Sequence, residues 1–151
     1  MSLLGLLRNP VLISAAVAWS IAQLVKLPIE YVRTRRWNWV LLFRAGGMPS
    51  SHSALVAAGA HAVGLTQGFG SALYAVSVIL AVIVIYDATG IRRQAGLHAE
   101  MINAIVQDLV EGHPLREEKL REVLGHSPGE ALVGLLLGLA TAQVLIGAVL
   151  R

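Results

Sequence analysis

The chain has 151 residues, of which 56% are hydrophobic and 14% charged, and it contains no cysteine. Soluble domains carry about 25% charged residues, so this composition indicates one integral membrane domain over residues 1–151. The lack of cysteine excludes disulfides, thiolate nucleophiles and cysteine-ligated metals. The formal net charge is +3, but no basic stripe is interleaved with aromatic residues. Anionic lipid or phosphate is therefore a better partner than nucleic acid.

Four apolar stretches approach the length of about 20 residues that a helix needs to cross a membrane. The second is short and rich in small residues; the third is rich in valine and isoleucine, yet its length and lack of alternation favour a helix. The fourth follows Ser127 and Glu130, which form a capping-box pattern. The sequence therefore predicts an all-α fold, a polytopic membrane helix bundle with about four spans. The spans are predicted at residues 10–27, 50–66, 69–86 and 131–150.

The connection between the third and fourth predicted spans contains two further helical patterns. Over residues 96–111, apolar side chains share one broad arc and polar side chains lie opposite, which is typical of an amphipathic helix. Residues 115–124 form a shorter, charge-rich pattern after the break at His113 and Pro114. We expect this amphipathic region to lie at the membrane surface on the cytoplasmic side.

The distribution of lysine and arginine predicts the orientation of the bundle. Five of the 12 lie in the connection at residues 26–47 and five in that at residues 87–130, while Arg8 and Arg151 lie near the ends of the chain. Cytoplasmic connections are rich in lysine and arginine, so we expect both long connections inside and both ends outside. The expected location is a bacterial-type inner membrane, with the candidate site facing the cytoplasm.

The stretch from Gly46 to Ala54 leads directly into the second predicted span. Gly47 frees the backbone, Ser50 is a candidate helix N-cap, and the amides from Ser51 onward point out of the helix start toward an anion. His52 in the first turn can protonate a leaving oxygen, because imidazole titrates near neutral pH. The stretch is a candidate phosphate cradle; the alternative is an ordinary helix cap with a histidine at the interface.

Four cationic residues lie near the ends of the predicted spans: Lys26, Arg33, Arg92 and Arg93. A phosphoryl group in transfer carries charge on three oxygens, which several convergent lysine and arginine donors can bind. Taken singly, each cation is more typical of a membrane anchor or a headgroup contact. Asp87, at the end of the third span, can pair with an arginine, orient a histidine or hold a metal, and a salt bridge is the interpretation we favour.

Four further histidines lie outside the cradle. His98 is in the middle of the apolar arc at residues 96–111, where a packed residue is more common than a catalyst. His61 lies within the second span; an ionisable residue there is a functional candidate, although a structural role is favoured. His113 is typical of a solvated loop, and the sequence assigns no role to His126.

Three motifs in order carry a resemblance to a known superfamily. Six residues separate Lys26 from Arg33, Pro49-Ser50-Ser51-His52 follows, and five residues separate Arg92 from His98. This order is similar to the three-part pattern of the type-2 phosphatidic acid phosphatase and vanadium haloperoxidase superfamily. Three longer stretches resemble its divergent branch, which consists of small membrane proteins of about this length. They lie at residues 46–54, 86–96 and 124–130.

The resemblance implies hydrolysis of phosphomonoesters through a covalent phosphohistidine. It implies no required cofactor or metal, and it leaves Mg²⁺ dependence open. Carried over by position, His98 would be the nucleophile and His52 the acid for the leaving alcohol. The phosphate donors would be Lys26, Arg33, Ser51 and Arg92.

The chain departs from the superfamily pattern at four positions, where proline, glycine, serine and aspartate are replaced by Thr34, Ser51, Ile91 and Ile102. The replaced aspartate would lie four residues after the nucleophile, so no obvious carboxylate orients His98. Asp87 or Glu100 would substitute for it only if the fold brings one of them to the ring. Both His98 and His52 therefore stay open as the nucleophile.

The leading hypothesis is a phosphatase for a membrane phospholipid, a phosphatidylglycerophosphate- or phosphatidate-like monoester. The main alternative is a non-catalytic membrane protein that binds anionic lipid or a partner through the same basic pocket. A small-molecule phosphatase or phosphotransferase is the third interpretation. Gly134 and Gly138 have the spacing that lets helices approach closely, so we also expect a homo-oligomer that uses this face.

Both ends of the chain are expected outside the cytoplasm, because the lysines and arginines are concentrated in the two long connections. Since the chain has no cysteine, single cysteines introduced at Ser2 and Arg151 provide a direct test. A membrane-impermeant maleimide should label both from the outer side of the membrane. Labelling of both ends from the cytoplasmic side alone would contradict this orientation.

Overall fold

The computed structural model describes residues 5, 7–42, 46–110 and 126–149. Regular structure in these ranges is entirely helical, which confirms the predicted all-α class. The elements are α1 (Pro10–Thr34), a 3₁₀ helix (Trp39–Leu42), α2 (Ser51–Gln67), α3 (Ala72–Thr89), α4 (Ile91–Val110) and α5 (Pro128–Val149). The predicted spans correspond to α1, α2, α3 and α5, and α1 continues through Pro28 beyond its predicted end.

Three helical stretches are long and apolar enough to cross a membrane: Pro10–Thr34, Ala72–Asn103 and Pro128–Ala148. Helix α2 has 17 residues and is shorter than these, so the four predicted spans correspond to three long helices and one short one. The short helix is the central one, packed against α1, α3 and α5. Its buried residues are alanine, serine, valine and glycine, because a helix surrounded by other helices needs little surface for lipid.

Small residues dominate the contacts between α1, α2 and α5. Between helices in lipid, attraction comes mainly from van der Waals packing, and small side chains let the backbones approach closely. Helix α3 differs, because it exposes large residues such as Val76, Ile79 and Ile83 and so presents an apolar outer surface suited to lipid. The buried core consists of Ala18, Ala22, Ala54, Ala58, Ala62, Ala142 and Ile146.

Gly134 and Gly138 lie on the face of α5 that packs against α2. A Cβ atom at Gly134 would overlap the backbone carbonyl oxygen of Ser50, and one at Gly138 would overlap that of Ala54. On this face, α2 fills the groove that the two glycines create, so they serve a contact within the chain. The homo-oligomer expected through Gly134 and Gly138 stays a prediction.

One end of the bundle brings together the starts of α2 and α5 and the end of α3. Ser50 N donates a hydrogen bond to the carbonyl oxygen of Glu130 at 2.9 Å, and His126 N donates to that of Ala88 at 3.0 Å. Ser127 N donates to the Glu130 carboxylate at 3.0 Å, and Glu130 N donates to Ser127 Oγ at 3.3 Å. This reciprocal pair confirms the predicted capping box. The two connections rich in lysine and arginine also leave the bundle at this end.

Helix α4 lies apart from the other helices, since it contacts only α3 among the described elements. Apolar residues from Leu97 to Val106 are exposed along it, and Met101 has 64% of its surface accessible. An amphipathic helix with such a face suits a membrane surface, in agreement with the predicted pattern over residues 96–111. The second predicted pattern, at residues 115–124, and His113 lie outside the described residues.

Three aromatic rings stack at the end of α1, one in its last turn and two just after it. The ring centroids of Tyr31 and Trp37 are 4.7 Å apart, and those of Trp37 and Trp39 are 5.8 Å apart. Both tryptophans are exposed. Tryptophan and tyrosine are enriched at membrane–water interfaces, so this stack indicates the level of the interface at this end of the bundle.

Gly138→Ala should destabilise the detergent-solubilised protein by about 1–3 kcal/mol, because the added methyl group overpacks the contact with α2. Gly147→Ala is the matched control on the same helix, since a Cβ there meets none of the described atoms within 4 Å. Thermal unfolding should show a lower midpoint for Gly138→Ala than for Gly147→Ala. Equal midpoints would contradict the close contact between α2 and α5.

Candidate functional site

The candidate cradle consists of the loop at residues 46–49 and the first turn of α2. Gly47 has a φ of 81°, in the left-handed region that favours glycine. The Met48–Pro49 peptide bond is cis. Ser50 Oγ accepts a hydrogen bond from Ser53 N at 3.3 Å, which confirms the predicted N-cap. The amides that follow this cap are those that an anion can reach at a helix start.

Lys26 lies beneath this cradle, inside the bundle, and only 2% of it is exposed. Its Nζ atom lies 2.5 Å from Oε1 of Gln23 and 3.4 Å from Oγ of Ser51. Gly47 lies against its aliphatic stem, since a Cβ at Gly47 would be 3.9 Å from Lys26 Cδ. The structure thus brings Lys26 next to Gly47 and Ser51, which the sequence singled out in a different motif.

Gln23 is a site residue that the sequence analysis missed. Its Oε1 accepts the hydrogen bond from Lys26, and its Nε2 donates to the carbonyl oxygen of Leu42 at 2.8 Å. One side chain therefore holds the ammonium group and ties α1 to the 3₁₀ helix. One feature of the sequence could have identified it: a polar residue inside an apolar span, three residues before Lys26. Side chains at this spacing are neighbours on a helix.

Two histidine rings face each other beside the cradle. His52, in the first turn of α2, has its ring centroid 5.8 Å from that of His126, in an edge-on arrangement. His126 is buried, and its Nδ1 lies 3.3 Å from Oε2 of Glu130. His126, to which the sequence assigned no role, thus joins the candidate site. The available signal was a carboxylate four residues later, at Glu130.

The electrostatics of this end of the bundle favour an anion. The start of α2 carries the positive end of a helix dipole, and Lys26 adds a full charge that is nearly cut off from water. Charges attract each other more strongly in such surroundings than at an exposed surface. The Glu130 carboxylate acts on Lys26 through space and partly offsets this charge. The arrangement can bind phosphate through Lys26, Ser51 and the first amides of α2, with His52 beside it as a proton donor.

The remaining charged residues of the predicted site lie on α1, α3 and α4. Arg33 is exposed in the last turn of α1, and Asp87 is half-buried near the end of α3. Arg92 and Arg93 belong to the first turn of α4, and their side chains lie outside the described part of the structure. Across the described ranges, no group of three or more His, Cys, Asp or Glu residues is arranged to hold a metal ion.

His98, the second predicted catalytic residue, is exposed on α4. That helix contacts α3 but none of the other described helices. The described contacts therefore group His52 with Lys26 and leave His98 on the helix that lies apart from the bundle.

Comparison with known proteins supplies the family. Residues 7–141 match the Divergent PAP2 family. The chain belongs to this family. It is also similar to the "Uncharacterized membrane protein YuiD" of Bacillus subtilis (strain 168), with 42% identity in an alignment that covers 93% of this chain and 96% of the relative. No solved structure matches the chain.

Membership in the Divergent PAP2 family confirms the resemblance found in the motifs. The matched range contains the cradle, both candidate catalytic histidines and the His126–Glu130 pair. The Bacillus subtilis relative is described as a membrane protein, which agrees with the three long apolar helical stretches of this Divergent PAP2 chain.

Lys26→Met should weaken the binding of inorganic phosphate to this Divergent PAP2 protein by about tenfold or more, since a hydrogen bond to a charged group contributes about 1.5–3 kcal/mol. Arg8→Met is the matched control. It also removes one positive charge, but about 27 Å away along the axis of α1. Isothermal titration calorimetry measures both affinities. Equal weakening by the two substitutions would contradict a direct contact between Lys26 and phosphate.

Proposed function

We propose that this protein is a membrane-embedded phosphatase that hydrolyses a phosphomonoester lipid at the cytoplasmic face. The observation that carries the proposal is the buried ammonium group of Lys26, which lies 3.4 Å from Ser51 Oγ at the start of α2. Its direct contacts are neutral oxygens, and the Glu130 carboxylate offsets its charge only in part and through space. Burial of a charge is costly unless charged partners and hydrogen bonds offset it. A phosphate group matches an ammonium, a hydroxyl and a helix N-terminus together.

His52 is the residue to which we assign proton transfer. Its Nδ1 atom is buried, so Nε2 is the ring nitrogen that would reach a reacting oxygen. When the bond between phosphorus and the ester oxygen breaks, the leaving alkoxide needs a proton, which an imidazolium can supply near neutral pH. Binding by Lys26 and Ser51 would hold the phosphate while His52 acts on the leaving group.

The attack on phosphorus has two candidate sources. The superfamily pattern assigns it to His98, which would form a phosphohistidine that water then hydrolyses. His98 is exposed on α4, however, and α4 contacts only α3 among the described elements. We therefore centre the reaction on His52 and assign the attack to water. The new bond between phosphorus and the water oxygen forms as the ester bond breaks, and the proton that the water loses restores the imidazolium of His52.

The surroundings of the cradle support a lipid as the substrate. Helix α3 exposes an apolar surface along most of its length, and its last turn is hydrogen-bonded to the segment that contains His126. The connections at this end are rich in lysine and arginine, which attract anionic headgroups. A phosphatidylglycerophosphate- or phosphatidate-like lipid could present its terminal phosphate here while its acyl chains stay in the bilayer.

A second function is the binding of anionic lipid without catalysis. One observation favours it: the residue four positions after His98 is Ile102, an exposed apolar side chain, where the superfamily has an aspartate. The two functions share the phosphate site and differ in whether the bound ester is cleaved.

Purified protein should release phosphate from phosphatidate or phosphatidylglycerophosphate in mixed micelles, measured both with Mg²⁺ and with a chelator. His52→Ala should lower turnover by about 10²-fold or more, as expected for lost general-acid catalysis. His98→Ala should lower turnover less. If the wild-type protein binds these lipids but cleaves none of them, the binding function replaces the phosphatase.

His61→Ala is the matched control for the histidine substitutions. His61 also lies on α2, about 14 Å along the helix axis from His52, and its Nε2 is 2.9 Å from Oε1 of Gln143. This variant should keep wild-type turnover. Full activity of His52→Ala would remove His52 from the mechanism, whereas equal losses in His52→Ala and His98→Ala would restore the two-histidine mechanism of the superfamily.

A further inference from the structure

We infer that His126 and Glu130 form a positioning pair that holds the ring of His52 in its reactive orientation, an inference that rests on the proposed phosphatase function. The pair lies around the start of α5, where the ring of His126 is next to that of His52. Neither residue belongs to the three-part pattern carried by Lys26, His52 and His98.

His126 is held both through its backbone and through its ring. Its backbone N donates a hydrogen bond to the carbonyl oxygen of Ala88 at 3.0 Å, which anchors the residue to the end of α3. Its Nδ1 lies 3.3 Å from Oε2 of Glu130, and the same carboxylate oxygen accepts a hydrogen bond from Ser127 N at 3.0 Å. Glu130 therefore serves as a helix cap and as the partner of the imidazole.

The fixed ring lies against His52. The two ring centroids are 5.8 Å apart, with the planes inclined at 61°, and Nδ1 of His52 is buried. A rigid neighbour on this side restricts the rotation of the His52 side chain and would so keep Nε2 available to a phosphate in the cradle. Residues behind a reactive group commonly orient it in this way.

His126 acts through His52 and does not contact the substrate. It is only 3% exposed, and its Nε2 atom is buried, so the second ring nitrogen is closed to a ligand in the cradle. His126 is therefore a positioning residue, and its loss should disturb turnover more than phosphate binding. A misplacement of about 1 Å in a reacting group can cost about 10²-fold in rate.

Steady-state hydrolysis of phosphatidate in mixed micelles by the full chain tests the inference. His126→Gln should lower kcat by about 10- to 100-fold, because His52 loses its fixed neighbour, and should leave KM within about twofold. His61→Gln is the matched control, with the same chemical change on the α2 histidine that pairs with Gln143. It should leave both constants unchanged.

Glu130→Gln is the second variant, for the case that His126→Gln does not fold. Glutamine keeps an oxygen acceptor for Ser127 N, as capping boxes accept either residue, but removes the charge that faces His126. It should lower kcat with little change in KM. A rise in KM with unchanged kcat would show that Glu130 acts through Lys26, and would overturn the inference.

A double-mutant cycle separates positioning from general damage. If the pair acts through His52, neither His126→Gln nor Glu130→Gln should reduce the residual activity of His52→Ala any further. Losses that multiply with that of His52→Ala would overturn the inference, and so would wild-type kcat in both single variants.

An NMR measurement on the imidazoles distinguishes failure of this inference from failure of the proposed function. The chain has five histidines, so the ring signals can be assigned by single substitution. Glu130→Gln should shift the His52 and His126 signals and leave those of His61 unchanged. If the wild type cleaves no lipid but these shifts occur, the proposed phosphatase function is wrong and the contact between the pair and His52 is confirmed. If the His52 signals do not move, the positioning role of the pair is wrong, whatever the activity.

Discussion

The close approach of α5 to α2 is the contact on which the rest of the site depends. A Cβ atom at Gly134 would overlap the backbone of Ser50, so the lack of a side chain there allows Ser50 N to bond the carbonyl oxygen of Glu130 at 2.9 Å. This bond joins the start of α5 to the start of α2. With any larger residue at Gly134, Glu130 and the adjoining His126 would be displaced from Lys26 and His52.

The same contact explains why the bundle is built from small residues. Lipid tails are as apolar as leucine, so large apolar side chains gain little by moving from lipid to a helix interface. Alanine and glycine at the contacts of α1, α2 and α5 maximise backbone packing, and the large residues of α3 face outward. Near one end of the bundle, the ammonium group of Lys26 meets polar side chains of two helices, Gln23 of α1 and Ser51 of α2.

Local patterns predicted most of the helices and part of the site. The Ser50 cap, the Ser127–Glu130 box and the apolar spans depend on neighbours within about one helical turn, so the sequence contains what is needed to find them. The meeting of Lys26 with the cradle followed from a superfamily pattern, not from local rules. The contacts between distant parts of the chain could not be predicted. A glycine pair such as Gly134 and Gly138 fits any partner helix, and helical periodicity does not say whether another element covers the face around His98. His126 can be assigned to the candidate site only from the fold, which places its ring beside that of His52.

The stacked rings at the end of α1 also bear on how a lipid substrate would reach Lys26. Tyr31 lies five residues beyond Lys26, about 7–8 Å along the helix axis, so the ammonium sits below the level that the aromatic stack marks. If the substrate is the proposed lipid, its phosphate would have to reach this depth while its acyl chains stay among neighbouring lipids. The quantity that governs occupancy is then the mole fraction of that lipid in the leaflet rather than its amount in solution. Such a protein would respond to the composition of its membrane and be indifferent to how much membrane the cell contains.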